Sequence, residues 1–321
     1  MPILGSRGGG AVKGFGLTSG QIAPPTWVSA PDPDFGTSPS GDFADMPLTG
    51  GADGAIGVGA FNPGPGQSQT IGAAFDGTSW GSNPGCPYDV FQNGIFGELT
   101  GAVTMGGAQR PAQNVISNSA EYNGTSWSTT GSINTAKRGT AACSGLEPSG
   151  LMVGANPPSG GGGATNQVES YNGSAWANET AYPAITRNGA VIGETETDII
   201  VAGGNNSTGT YYSGLNSYNG STWSDTGAAL SAGRSNIASF GPTSDGLFAA
   251  GYDGGSPGNV DDVEIWDGTA VSSGTTYPVA QSYFASNGSG TAGGNASRGG
   301  GYVMANNGPY STGLSNFWIS E

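Results

Sequence analysis

Apolar positions along this chain come in short bursts, and the bursts recur. Between residues 188 and 225 four follow one another: "NGAVIG" (188–193), "DIIVAGG" (198–204), "GLNSYN" (214–219) and "STWSD" (221–225). Alternation with a period of two predicts a half-buried strand, and a short unbroken apolar run predicts a strand covered on both faces. A 3.6-residue apolar rhythm is absent, so helices are not expected. The reading is four successive strands. The third and fourth are joined at Asn219-Gly220 as a two-residue hairpin, since a type I′ turn needs two positive φ angles.

The unit repeats. Its outer hairpin returns as "AAFDGTSW", "AEYNGTSW", "ESYNGSAW", "NSYNGSTW" and "VEIWDGTA". The aromatics Phe75, Tyr122, Tyr171, Tyr218 and Trp266 stand 47, 49, 47 and 48 residues apart. Periods of about 40–50 residues mark propeller blades or helical-pair solenoids, and the missing helical rhythm leaves blades. Blade boundaries fall near residues 80, 127, 176, 223 and 271. The ending "GLSNFWISE" aligns Phe317 with Tyr218, a third strand without a fourth. "PPTWVSA", around Trp27, is a fourth strand without a hairpin before it. The expectation is an all-β, six-bladed propeller of four-stranded blades over residues 21–321. Its N-terminal strand (25–29) completes the last blade and seals the ring, which removes open sheet edges. Residues 1–20 read as a Gly-rich arm outside the ring, anchored on another subunit through Arg7 and Lys13.

Composition narrows the classes. Gly supplies 62 of 321 residues without a collagen period, while 7 Trp, 12 Tyr and 11 Phe supply a core. Lys and Arg total 8 against 23 Asp and Glu, a net charge of −15, so neither nucleic acid nor an anionic membrane is an expected partner. Histidine is absent, which removes Ser-His-Asp triads and His-ligated metals. Cys86 and Cys143 occupy unlike positions of the repeat and are expected as buried free thiols. The start lacks an apolar signal-peptide segment, and no run approaches the roughly 18 apolar residues of a membrane span.

Arg138, Arg187 and Arg234 each lie 11 residues after a blade tryptophan, at the start of three innermost strands. Three arginines on one rim could clamp a carboxylate. The alternative is pairing with backbone carbonyls or with Glu121, Glu169 or Glu264. The variable loops between second and third strands carry Tyr211, Tyr212 and Tyr310. They share a face with the inter-blade linkers, which carry Tyr88, Tyr182 and Tyr277. Tyrosine rings and asparagine amides together suit sugar binding. Asp253, Asp261 and Asp262 are a weak candidate for Ca²⁺. No catalytic set and no cofactor site is legible.

The double glycine after the second strand ("VAGG" at 201–204, "TMGG" at 104–107), then an aromatic and a tryptophan, resembles the kelch repeat. The double glycine is broken in "VGAN", "AAGY" and "VMAN", and Val271 replaces the last tryptophan. The wording "YNGTSWSTTGSINTAKR" resembles kelch-like proteins of tailed, marine-type phages, and the Gly-rich start resembles their virion proteins. The turn is also similar to the SxDxGxTW turn of sialidases, although Asp76 to Trp80 is one residue shorter. These resemblances imply a non-enzymatic virion structural protein, of tail, fibre or head surface. It would be assembled in the host cytoplasm, docked on other virion proteins through the arm, and open to homo-oligomerisation. Its loops would meet a host glycan or receptor. The alternative is a sialidase-like or other glycan-processing propeller enzyme.

Overall fold

Each repeated turn is organised by its Asx side chain. Asn219 Oδ1 accepts the backbone N–H groups of Ser221 and Thr222 at 3.0 and 2.9 Å. Asp76, Asn123, Asn172 and Asp267 do the same for the residues two and three further on. The N–H of Ser79, then that of Thr78, holds the Asp76 carboxyl below its ordinary range, and Ala270 and Thr269 do so for Asp267. The loop is therefore four residues long, with Tyr218 opposite Trp223. This corrects the two-residue turn expected from Asn-Gly. The side chain supplies two of the turn's hydrogen bonds, so only the glycine needs a positive φ, +87° at Gly220.

These hairpins belong to a computed structural model that describes residues 27–29, 46–51, 54–62, 65–139, 142–158, 163–256, 258–278, 280, 290–291, 302–305 and 316–320. Strand β1 is Trp27–Ser29. The first blade is β2 (Leu48–Gly51), β3 (Gly54–Asn62), β4 (Gln67–Phe75) and β5 (Trp80–Asn83). The second is β6 (Gly94–Glu98) and β7 (Gly101–Met105), then a small hairpin of β8 (Ala108–Gln109) and β9 (Asn114–Val115), then β10 (Ser119–Tyr122) and β11 (Trp127–Thr130). The third is β12 (Ala142–Leu146), β13 (Ser149–Ala155), β14 (Thr165–Tyr171) and β15 (Trp176–Asn178). The fourth is β16 (Ala190–Thr195), β17 (Asp198–Ala202), β18 (Gly214–Tyr218) and β19 (Trp223–Ala229). The fifth is β20 (Ala238–Phe240), β21 (Gly246–Tyr252), β22 (Asn259–Trp266) and β23 (Val271–Ser273). Then come β24 (Gly290–Thr291), β25 (Tyr302–Ala305) and β26 (Asn316–Ser320). The innermost strands β2, β6, β12, β16 and β20 adjoin one another in that order.

Complete four-stranded blades number five among the described residues, which corrects the expected six. The chain's first and last strands form a three-stranded sheet, β1-β26-β25, with Trp27 opposite Ser320 and Ser29 opposite Trp318. Among the described residues that sheet has no innermost fourth strand. Gly290–Thr291 pairs parallel with β20 instead. The sequence around it, "ASNGSGTAGGNASRGGG", has no apolar alternation to fix a register.

Inward faces of neighbouring blades share their cores. Phe96, Val103 and Met105 of the second blade pack with Cys143, Met152, Tyr171 and Trp176 of the third. The cluster holding Leu48, Ala55 and Phe75 also holds Phe240, Leu247 and Val263 of the fifth blade. In the first four blades an aromatic pair closes the outer end of the hairpin, with ring centroids 5.3 Å apart for Phe75–Trp80 and 4.7 Å for Tyr218–Trp223, and in the fifth Trp266 faces Val271.

The double glycine has a packing reason. Gly203 and Gly204 have φ of +64° and +89°, and the Gly204 N–H donates to the Arg234 carbonyl of the next linker at 2.8 Å. Gly107 donates to the Lys137 carbonyl at 2.8 Å in the same way. Where the motif is broken the conformation persists, with φ of +139° at Ala155 and +55° at Ala250. A Cβ at Gly204 would lie 2.3 Å from Thr186 Oγ1 and 2.9 Å from the Arg187 carbonyl oxygen. Gly204→Ala is therefore expected to cost on the order of 3 kcal/mol. Gly209 has φ +90° with nothing within 4 Å. Gly209→Ala isolates the backbone share, about 1–2 kcal/mol. Urea midpoints of the two variants check the difference.

Candidate functional site

Four linkers enter their blades in the same way. Phe91, Arg138, Arg187 and Ser235 each form a β-bridge to the end of the second strand, at Ala108, Asn156, Asn205 and Tyr252. The next residue is left-handed in every case: Gln92 at φ +54°, Gly139 at +56°, Asn188 at +55° and Asn236 at +53°. Non-glycine residues there carry strain that surrounding structure must hold, and such positions concentrate at functional sites. Here the turn re-aims the chain from the linker into the innermost strand. Neighbouring turns are laced together, Gly139 N–H to Gln92 O at 2.9 Å and Asn236 N–H to Asn188 O at 2.8 Å.

These eight residues line one pocket of about 320 Å³, together with Arg110, Gln113, Asn156, Asn205, Tyr211 and Tyr252. Arg138 donates to Gln113 Oε1 at 3.4 Å, and Arg187 to Asn156 Oδ1 at 3.1 Å. The Arg110 guanidinium sits over the rings of Phe61 and Phe91, 5.2 and 5.4 Å from their centroids. Its β8–β9 hairpin is tied down by Ser68 and Asp89. Ser68 Oγ donates to Asp89 Oδ2 at 2.5 Å and accepts the Arg110 N–H at 3.0 Å, while Gln109 Nε2 donates to Asp89 Oδ1 at 3.2 Å. The lining contains no carboxylate.

Arg234 is elsewhere. It is buried in an ion pair with Glu264, which also accepts the Ser231 N–H. Lys137 and Glu169 make the equivalent pair at 2.5 Å, and Glu169 accepts the Asn134 N–H at 2.6 Å. Burial pushes both cations below their ordinary pKa values, against the upward pull of the glutamates. Arg234 thus stands where Lys137 stands, and Ser235 where Arg138 stands. The equal 11-residue spacing conceals this because the β18–β19 ladder shifts register between Gly214 and Asn216, and the run from Trp223 to the bridge residue Ser235 is 12 residues, against 11 from Trp127 to Arg138 and from Trp176 to Arg187. Sequence reasoning missed Arg110, which lies in the β8–β9 insertion outside the register of the repeat.

The described residues contain five cations. Lys137 and Arg234 are neutralised in the core, and Arg110, Arg138 and Arg187 line the pocket. Of the expected tyrosines, Tyr211 lines the pocket and packs edge-on against Tyr252 at 5.7 Å. Tyr212 is half-buried, its N–H on the Gly204 carbonyl. Tyr182 and Tyr277 are buried between blades, 3% and 1% exposed, and present no ring to solvent. Tyr88 is half-buried beside Cys86, and burial pushes its hydroxyl well above the ordinary value. The three aspartates are not brought together. Asp253 Oδ1 accepts the Gly255 N–H at 2.7 Å and Asp262 lies 3.9 Å from Arg234. Among the described residues no cluster of three metal-ligating side chains occurs. Cys86 and Cys143 are buried free thiols, and burial pushes the Cys86 thiol up to about 11. Tyr310, Arg7 and Lys13, with the whole 1–20 arm, lie outside the described residues.

No family model matches the chain, and no curated protein does. Among solved structures it is similar to YjhT, with a TM-score of 0.61 and 13% identity over 76% of this chain and 86% of that one. The protein is a β-propeller. At that identity the likeness establishes the fold alone. The expectation of a non-enzyme is corrected on this likeness, since a propeller scaffold does not of itself exclude catalysis. No helix among the described residues is long and apolar enough to cross a membrane.

Proposed function

We propose that this propeller processes glycans and that its pocket receives a carboxylate-bearing sugar. One observation carries the reading. In a chain of net charge −15, every described cation that is not neutralised by a buried glutamate lines this pocket, and no carboxylate does. Guanidinium groups match a carboxylate bidentately, and the side-chain amides and tyrosines around them suit a polyhydroxylated ring. Tyr211 and Tyr252 are the hydroxyl acids of the wall, the groups available as nucleophile or proton carrier at a sugar carbon. The pocket is small among ligand sites, with room for a terminal sugar rather than the middle of a chain.

The three-stranded sheet is read as an incomplete kelch-like blade, supported by the pairing of β1 with β26. The phage-type wording of the repeat supports a particle that meets host glycans as the setting, which mass spectrometry of purified particles tests.

The activity is tested with a fluorogenic sialoside and a fluorogenic β-glucuronide, alongside equilibrium titration of free N-acetylneuraminate and glucuronate. Saturable binding of a free acid, with release from one glycoside that Tyr211→Phe or Tyr252→Phe abolishes, supports the reading. Absence of both binding and turnover at millimolar ligand overturns it.

A further inference from the structure

The repeat itself shows where a partner is missing. Asn156 and Asn205 occupy the same place in successive blades, each at the end of a second strand and each bridged to an arginine of its own linker. Asn156 Oδ1 is served from the next linker by Arg187, at 3.1 Å. The residue that should serve Asn205 in the same way is 235, and residue 235 is serine. Its hydroxyl is too short to replace a guanidinium. Asn205 is 7% exposed and its Oδ1 has no hydrogen-bond partner. Asn236, the left-handed residue beside Ser235, is 6% exposed, and its Oδ1 likewise has no partner. Both line the pocket. Asn188 Oδ1, half-buried in the same lining, is also without a partner; buried carbonyl oxygens are normally satisfied, so these orphans describe a donor that arrives with a ligand. With Arg138 and Arg187 on the adjoining wall, a metal cation is an unsuitable occupant and a neutral hydroxyl or N–H is a suitable one.

We infer that Asn205 and Asn236 form a hydroxyl-reading wall, so that the pocket selects a polyhydroxylated monoacid over a plain carboxylate. The inference rests on the acidic-sugar reading of the pocket and adds the contacts that would tell a sugar acid from any other anion. The loss of the guanidinium at position 235 is what opens this wall. Without a serine there, the fourth linker would fill the pocket as the third does beside Asn156.

The test is calorimetric titration of the full chain with glucuronate, cyclohexanecarboxylate and glucose. Glucuronate is expected to bind at least tenfold more tightly than cyclohexanecarboxylate, and glucose weakly, about one hydrogen-bond increment per tenfold. Asn205→Ala, and separately Asn236→Gly, which tolerates the left-handed backbone, should pull that ratio towards one. Binding of cyclohexanecarboxylate should stay within about twofold. Ser235→Arg restores the missing guanidinium to Asn205 and should abolish the preference while the thermal midpoint holds or rises. If cyclohexanecarboxylate binds wild type as tightly as glucuronate, the hydroxyl-reading wall is wrong and the anion pocket stands. If neither acid binds, the reading of the pocket fails and this inference with it. A ratio unchanged by Asn205→Ala and Asn236→Gly, in protein folded by circular dichroism, also overturns it.

Discussion

Glu264→Leu is expected to lower the unfolding free energy by about 3–5 kcal/mol, a large share of an ordinary domain's roughly 5–15 kcal/mol. Arg234 is fully buried, and among the described residues Glu264 is the one buried carboxylate paired with it. Asp262 cannot replace it, since its side chain is 58% exposed and stands 3.9 Å away. The substitution also orphans the Ser231 N–H, which Glu264 now accepts. A urea titration reads the loss as a lower midpoint at unchanged slope. The companion variant separates two accounts of the pair. Burial already pulls the Arg234 pKa down despite the glutamate beside it, so desolvation outweighs attraction. Arg234→Met with Glu264→Leu should therefore recover most of the stability. If the double variant is no better than the single one, the pair is net stabilising and this account of it is wrong.

That ion pair also marks the limit of what could be read from residues alone. The hairpins were legible because local chemistry fixes them: an Asx carbonyl, a glycine at positive φ and an aromatic pair across the ladder recur with little help from the rest of the molecule. The double glycine was legible for the same reason, since two left-handed residues pass beneath the next linker. Register was not. The register shift in β18–β19 leaves Arg234 in the core and Ser235 on the rim, and nothing in "YNGSTWSDTGAALSAGRS" announces an extra residue. Tyr182 and Tyr277 look like rim aromatics in sequence because linkers are expected at the surface. The wedge between blades widens outwards, and these rings fill it. The expected sixth four-stranded blade is not complete among the described residues, and the sequence around Gly290–Thr291 lacks the apolar alternation from which a register could be read. The expectation of a non-enzyme came from the phage-type wording, the low charge, the Gly/Ser/Thr/Asn richness and the absence of histidine, and the last excludes His chemistry but not arginine and tyrosine chemistry.

Arg187→Ala is expected to weaken acidic-sugar binding on the order of 100-fold, because charge-assisted hydrogen bonds are worth about 1.5–3 kcal/mol and each tenfold is about 1.4 kcal/mol. The same change should leave stability within about 1 kcal/mol of wild type. Its guanidinium is half-buried, and the one hydrogen bond given up is to Asn156. Arg234→Ala should behave in the opposite way, with a large loss of stability and little direct effect on the ligand, because that side chain is sealed in the core. The contrast separates an arginine that meets ligand from one that holds blades together, although both stand 11 residues after a tryptophan. Arg187→Lys should recover only part of the affinity, since an ammonium keeps the charge but not the planar fork. Titration of glucuronate against each variant, with urea midpoints measured in the same buffer, decides the matter. Equal losses of binding in Arg187→Ala and Arg234→Ala would mean that the pocket arginines act through the fold, and the acidic-sugar site would have to be given up.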